Sequence, residues 1–140
     1  MIFENKIIEY FSTKLIKREL KFTISEVLTK EDNLIISEIG LPNDVLDFHF
    51  VNEICLLSKS EAIIGSTSYD CNVILNLKSR NITKENSGFF LAKSLKHLVL
   101  QLYVYDCLWN NVIPNNDFGP YRENSNHKKY AKFLERELLK

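Results

Sequence analysis

The chain has 140 residues, of which 45% are hydrophobic and 26% are charged, with only four glycines and three prolines. This length suits one domain with a single sizeable core, and the composition excludes an intrinsically disordered chain. Eighteen basic and eighteen acidic residues give a formal net charge of zero, so no overall field draws the protein to nucleic acid or to an anionic membrane. We expect a single domain over residues 1–140.

The charges are unevenly distributed along the chain. Residues 1–21 carry five basic and three acidic side chains, and residues 127–140 carry five basic and two acidic ones. The intervening residues 22–126 hold the other eight basic and thirteen acidic residues, a net charge of −5. Charged runs usually face water, so a solvated surface is the simpler interpretation of this segment. An acidic docking face is the sharper alternative.

The three cysteines, Cys55, Cys71 and Cys107, form no close pair. Their odd number and wide spacing argue against a disulfide-stapled secreted domain and against a zinc site, so we expect reduced thiols that behave as small buried hydrophobic residues. Polar residues interrupt the N-terminal segment MIFENKIIEYF where a signal peptide needs an unbroken apolar stretch, and no apolar run is long enough to span a membrane. We expect a cytoplasmic protein without a metal or other cofactor.

The chain begins with an amphipathic pattern that predicts a helix over about residues 4–20, covering one face of a sheet. Its apolar side consists of Ile7, Ile8, Phe11, Leu15 and Ile16. Its basic side consists of Lys14, Lys17 and Arg18. Residues 25–37 surround a charged insert at 30–33 that fits either a turn or an exposed helical face, and we favour a short helix that ends before Gly40. Pro42 then prevents any helix from continuing.

Between residues 45 and 90 the pattern changes to that of strands. Phe48 and Phe50 alternate with other residues, and short apolar runs follow at 54–57, 62–64 and 71–77. Residues 78–81 predict a hairpin turn with Asn81 in the left-handed conformation, after which residues 82–84 and 88–91 pair back. This region therefore predicts a largely antiparallel sheet.

The longest apolar segment is residues 89–109, FFLAKSLKHLVLQLYVYDCLW, and its period changes partway along. Phe89, Phe90 and Leu91 predict the end of a buried strand, and Ser94 is the predicted N-cap of a core helix over about residues 94–109. The apolar positions of that helix are Leu95, Leu98, Val99, Leu102, Tyr105 and Trp109. Residues 110–126 predict a loop, followed by a last helix that Ser125 or Asn126 caps. Together the elements predict an α+β fold, with the core helix on a central antiparallel sheet and flanking helices at both termini.

Four short segments carry a family resemblance. They are GLP at residues 40–42, IG at 64–65, VILNLKSRNI at 73–82 and FFLAKSLKHL at 89–98. They resemble the SUKH superfamily of Smi/Knr-like proteins from bacterial polymorphic-toxin systems, most of all its fourth-type subgroup, over about residues 39–105. The resemblance implies an immunity protein in the cytosol. Such a protein binds and neutralises a cognate contact-delivered toxin, a nuclease or other toxic enzyme, and has no catalytic activity of its own.

Complementary charge speeds the encounter of two proteins, so an acidic middle segment would suit a basic toxin. The candidate partner-binding residues lie near predicted loop or strand edges: Asp44, Asp47, Glu53, Tyr69 and Asp70. For each carboxylate a solvated surface role is the simpler alternative, and for Tyr69 it is half-buried packing. A housekeeping protein–protein interaction domain of the same fold is the alternative function. The sequence leaves the oligomeric state open.

Catalysis and nucleic-acid binding rank below protein binding. His49, His97 and His127 fall in separate predicted elements and form no recognisable site with a nucleophile or metal, and we expect His97 to hydrogen-bond or to face solvent. The C-terminal segment 128–136 has a basic stripe with two interleaved aromatic residues that fit base stacking or core packing. The zero net charge and the acidic middle segment count against nucleic acid as the partner.

Overall fold

The computed structural model describes residues 2–67, 71–85 and 87–109. The helical elements are α1 (Ile2–Phe11), a 3-10 turn (Ser12–Lys14), α2 (Phe22–Ser25), α3 (Lys30–Asn33), its π-helical continuation (Leu34–Ile39) and α4 (Leu95–Trp109). The strands are β1 (Leu15–Ile16), β2 (Leu41–Pro42), β3 (Asp44–Val45), β4 (Phe48–Ser58), β5 (Glu61–Thr67), β6 (Asn72–Asn76), β7 (Ile82–Lys84) and β8 (Phe90–Ala92).

The main sheet has six antiparallel strands in the order β3-β4-β5-β6-β7-β8, so each strand pairs with its neighbour in the chain. A separate two-stranded sheet joins β1 to β2. Between Phe50 and Cys55, β4 advances five residues while β5 advances two, and this bulge bends the strand. The α+β class and the antiparallel sheet are therefore confirmed. The predicted C-terminal helix and the loop before it lie outside the described residues.

The core lies between the main sheet and α4. Ala62, Leu75, Ile82 and Ala92 are aligned across four strands by their register, and all are buried in one hydrophobic cluster. Leu95, Leu98 and Leu102 of α4 belong to the same cluster, as do Ile7 and Phe11 of α1. The predicted core helix is therefore confirmed: it lies at the predicted residues and packs on one face of the sheet.

The N-terminal helix is shorter than the predicted span of residues 4–20. It ends at Phe11, because Ser12 adopts a left-handed φ of 49°. Leu15 and Ile16, predicted as helical, form β1 and pair with β2. The main partner of α1 is α4, through the Tyr10 ring, which stacks on Tyr103 at 5.0 Å between ring centroids. The predicted apolar period therefore spans two elements that face different neighbours.

Arg18, predicted on the solvent side of the N-terminal helix, is instead 3% exposed. Its guanidinium donates hydrogen bonds to five oxygens: the carbonyls of Ile16 (2.7 Å), Leu41, Phe50 (3.5 Å) and Val51 (3.0 Å), and the side-chain oxygen of Asn43 (2.9 Å). Burial lowers the pKa of Arg18. Among the described residues no carboxylate forms an ion pair with it. Arg18 therefore ties the small sheet to the start of β4 by hydrogen bonds to neutral groups.

The helix before Gly40 is present as predicted. Thr29 caps α3 by accepting a hydrogen bond from the backbone N–H of Asp32 at 3.1 Å. Gly40 ends the π-helical continuation at a φ of 95°, where only glycine is comfortable. A Cβ there would lie 2.9 Å from the backbone carbon of Ile16. The glycine therefore allows both the turn and the close approach of β1.

Two details of the region before α4 differ from the prediction. The left-handed residue of the β6–β7 turn is Arg80 (φ 67°) and not Asn81. Arg80 reaches back to Asp32 on α3, with 3.2 Å between the guanidinium nitrogen and the carboxylate oxygen. Phe89 and Phe90 are exposed although a buried strand was predicted: Phe89 precedes β8, and Ala92 is the one residue of this edge strand that is buried.

Asp32→Asn is expected to change how stability depends on pH. Burial raises the pKa of Asp32 above its ordinary value of 3.8, and Arg80 opposes this rise. The fold therefore holds the Asp32 proton more tightly than the unfolded chain does, and this stabilisation is complete below about pH 3.8 and is lost as the pH rises through the folded-state pKa. We expect the variant to gain stability relative to the wild type between about pH 4 and pH 7.

Urea unfolding of both proteins across that pH range measures the effect. Glu38→Gln, at an exposed position of the adjoining π-helical segment, is the matched control for the loss of a carboxylate. A stability difference between Asp32→Asn and the wild type that stays constant with pH would contradict the prediction.

Candidate functional site

Two predicted partner-binding residues lie in one hairpin. Asp44 belongs to β3, at the edge of the main sheet, and Asp47 is an exposed residue of the turn that leads into β4. The Asp44 side chain is 73% exposed, and its carboxylate lies 2.8 Å from Nδ1 of His49. Leu46, between the two acids, is exposed and has a left-handed φ of 57°. The hairpin tip therefore presents an apolar side chain between two carboxylates.

The described contacts do not bring the predicted residue Glu53 to that tip. Glu53 lies farther along β4, within the bulge, and its carboxylate contacts Nζ of Lys21 at 2.9 Å. The hydrogen bond from Lys21 lowers the pKa of Glu53, but an ion pair this exposed contributes little to stability. Tyr69 and Asp70 lie outside the described residues. The chain on either side of them is joined by a hydrogen bond from Thr67 N–H to the Cys71 carbonyl at 3.0 Å.

The strand register defines the sheet face that points away from the core. Val73 and Leu75 belong to the core cluster, so Ile74 between them points to the opposite face. Pairing across five strands aligns one row on that face: Cys55, Ile63, Ile74, Thr83 and Phe90. We call this row the apolar band. Ile74 at its centre is 2% exposed, whereas Phe90 at one end is 54% exposed.

Two polar rows flank the apolar band. One row contains Asp44, His49, Ser66 and Asn72 by register, and Glu85 by two hydrogen bonds to Asn72. The other row contains Ser58, Glu61 and Asn76. Neither row has a lysine or an arginine. We call the band and its two flanking rows the outer face, and its charged groups are three carboxylates and one histidine.

Ser94 and His97 place a hydroxyl beside an imidazole, the pairing that nucleophilic catalysis uses. Ser94 Oγ lies 2.6 Å from His97 Nδ1 and also accepts a hydrogen bond from the His97 backbone N–H at 3.2 Å. The hydroxyl thus accepts from the backbone N–H three residues on, as an N-cap residue does, and the His97 ring contacts the same hydroxyl. This arrangement confirms the predicted cap and the predicted hydrogen bonding of His97. Since Ser94 is buried, the contact is explained by helix capping alone.

The cysteines differ from one another in exposure. All three are free thiols; Cys107 is buried, Cys71 is half-buried and Cys55 is exposed. Burial raises the pKa of Cys107 to about 11. The expectation that each thiol is a buried hydrophobic residue is therefore wrong for Cys55, because the β4–β5 pairing places it on the outer face.

A polar cleft of about 420 Å³ lies beside Arg18. Its side chains bond to one another, since Ser25 Oγ lies 2.8 Å from the side-chain oxygen of Asn33 and Ser37 Oγ donates to the Asn33 carbonyl at 2.6 Å. Within the described ranges no group of three side chains is placed to hold a metal ion. In the same part of the chain no helix is long and apolar enough to cross a membrane.

Sequence reasoning missed Glu61, Glu85 and the apolar band. One signal was present, because the unbroken apolar run at residues 73–75 is typical of a strand that is buried on both faces. The row that contains Ile74 could not be found in this way. It depends on the pairing of five strands, and the bulges in β4, β5 and the β7–β8 pair shift that pairing.

Comparisons of the chain with protein-family profiles, with curated proteins and with solved structures find no match. The resemblance to the SUKH superfamily, and the function that it implies, therefore stay predictions from the sequence.

Proposed function

We propose that this protein is a non-enzymatic immunity protein, which binds a cognate protein toxin in the cytoplasm and neutralises it. The observation that supports this proposal is the β3–β4 hairpin tip, where Leu46 is exposed between Asp44 and Asp47. A leucine at positive φ is uncommon and costs conformational energy, and such strain is concentrated at binding and active sites. An exposed apolar side chain with an acidic residue on either side of it in the hairpin suits a partner with basic residues around an apolar pocket.

The proposal is tested by co-expression with the toxin domain that the neighbouring gene encodes, scoring both cell survival and stoichiometric co-purification. We expect survival together with a stable complex. The charge reversal Asp44→Lys with Asp47→Lys is expected to slow association by about tenfold or more at low salt, because it removes the attraction that steers encounter. Glu38→Lys, elsewhere on the surface, is the matched control.

The outcomes separate the proposal from its alternative. Loss of cell survival despite full expression of the folded protein would contradict the immunity function. Capture of a housekeeping protein with no effect on any neighbouring toxin would favour an interaction domain outside a toxin system.

A further inference from the structure

We infer that the outer face of the main sheet is a docking surface for a protein whose contact surface is basic around an apolar centre. This inference rests on the proposed function and names the surface and the chemistry of the partner. The hairpin tip joins this surface through Asp44, which belongs both to the tip and to one polar row of the outer face.

The first argument is the apolar content of the outer face. A sheet face in contact with water is normally polar, whereas this one carries Cys55, Ile63 and Phe90 in a single row. The centre of the row at Ile74 is buried, and its two ends at Cys55 and Phe90 are exposed. Phe89, next to Phe90, is exposed as well. The ends of the band therefore offer a partner an aromatic side chain and a thiol, on either side of a buried centre.

The second argument is charge. The outer face has the carboxylates of Asp44, Glu61 and Glu85 and no lysine or arginine in its aligned rows. The one basic group in those rows, His49, already faces Asp44 at 2.8 Å. Two lysines beside the face also have partners: Lys21 contacts the Glu53 carboxylate at 2.9 Å, and the Lys84 ammonium lies 5.8 Å from the centre of the Phe89 ring. Nucleic acid and anionic membranes would be repelled by such a face. A second copy of this chain would oppose carboxylates to carboxylates, so a basic protein is the occupant that the charges favour.

The third argument is size. Four strand spacings of about 4.8 Å make the apolar band roughly 19 Å long, and three rows span roughly 14 Å along the strands. This area is less than half of the roughly 800 Å² that each partner buries in a standard interface. The proposed interface therefore also includes the adjoining hairpin tip and the exposed Phe89.

The inference is tested with the same toxin domain, by measuring the dissociation constant for matched pairs of variants. Phe90→Ser is expected to weaken binding at least about tenfold, as the loss of an aromatic anchor does. Ile8→Ser is the control, because Ile8 is 48% exposed on α1, which packs against α4. Glu61→Lys with Glu85→Lys is expected to slow association and to weaken its salt dependence, whereas Glu38→Lys is not.

Alkylation of Cys55 gives an independent readout of binding in the wild-type protein. Cys55 is exposed and Cys71 is half-buried, and we expect the bound toxin to protect Cys55 from maleimide. Toxin binding with full affinity in every outer-face variant, and with Cys55 still reactive, would overturn the inference and leave the proposed function intact. Absence of toxin binding by the wild type would instead overturn both. Protection of Cys55 by self-association at high protein concentration would identify a second copy as the occupant and would also overturn the inference.

Discussion

Replacing Arg18 with methionine is expected to lower the free energy of unfolding by about 4 kcal/mol. This is the cost of leaving two buried acceptors without a hydrogen bond, at roughly 2 kcal/mol each. The two acceptors are the carbonyl oxygens of Leu41 and Phe50, whose hydrogen bonds to Arg18 are buried. The other three oxygens bonded to Arg18 are in partly buried contacts, where water can replace the guanidinium. Methionine fills a similar volume, so the loss measures the hydrogen bonds more than the packing.

Arg18→Lys is expected to be destabilising as well, because an ammonium group cannot reproduce the planar fork of five donors. Lys17→Met removes an exposed cation from the adjacent position and is the matched control, expected to stay within about 0.5 kcal/mol of the wild type. Urea unfolding measures all three variants. A stability of Arg18→Met within about 1 kcal/mol of the wild type would show that the surrounding carbonyls find other partners.

Leu98→Asp, or equally Leu102→Asp, is expected to unfold the domain. Both leucines are buried in the cluster between α4 and the main sheet. Burial of one leucine contributes roughly 1.5–3 kcal/mol, and a buried, unpaired carboxylate adds a further cost of several kcal/mol. The sum approaches or exceeds the whole stability of a typical domain, about 5–15 kcal/mol.

Circular dichroism during thermal unfolding measures the effect of these aspartate substitutions. Leu98→Met, which nearly conserves volume, is the control and is expected to cost less than about 1.5 kcal/mol. A cooperative transition in Leu98→Asp near the wild-type temperature would refute the placement of α4 in the core.

The elements with strong local signals were predicted almost to the residue. Ser94 and the apolar series after it predicted α4, because a helix cap and a helical period both depend on residues that are close in sequence. Gly40 predicted the end of the preceding helix for the same reason, since a left-handed φ is a local requirement. The sheet region followed from short apolar runs separated by turn residues, but the aromatic alternation at Phe48 and Phe50 and the run at 54–57 belong to one strand, β4.

Where the prediction was wrong, a distant part of the chain determined the structure. Leu15 and Ile16 continue a helical period in sequence but pair with β2, about 26 residues away in the chain. Arginine is normally a surface residue, yet oxygens of five residues around β1, β2 and β4 accept hydrogen bonds from the buried Arg18. Periodicity cannot distinguish these cases, because it records which side of an element is apolar and not which partner covers it.

The sequence by itself determined the class of the fold, the sheet region and the core helix, because hydrophobic period, caps and turn residues act over a few neighbouring positions. It also indicated an acidic middle segment, and Asp44 of that segment lies on the outer face. Only the tertiary structure decided that Glu61, Glu85 and Phe90 share that face. Their alignment depends on the register of paired strands. Each bulge shifts this register, and no local sequence pattern reveals where the bulges lie.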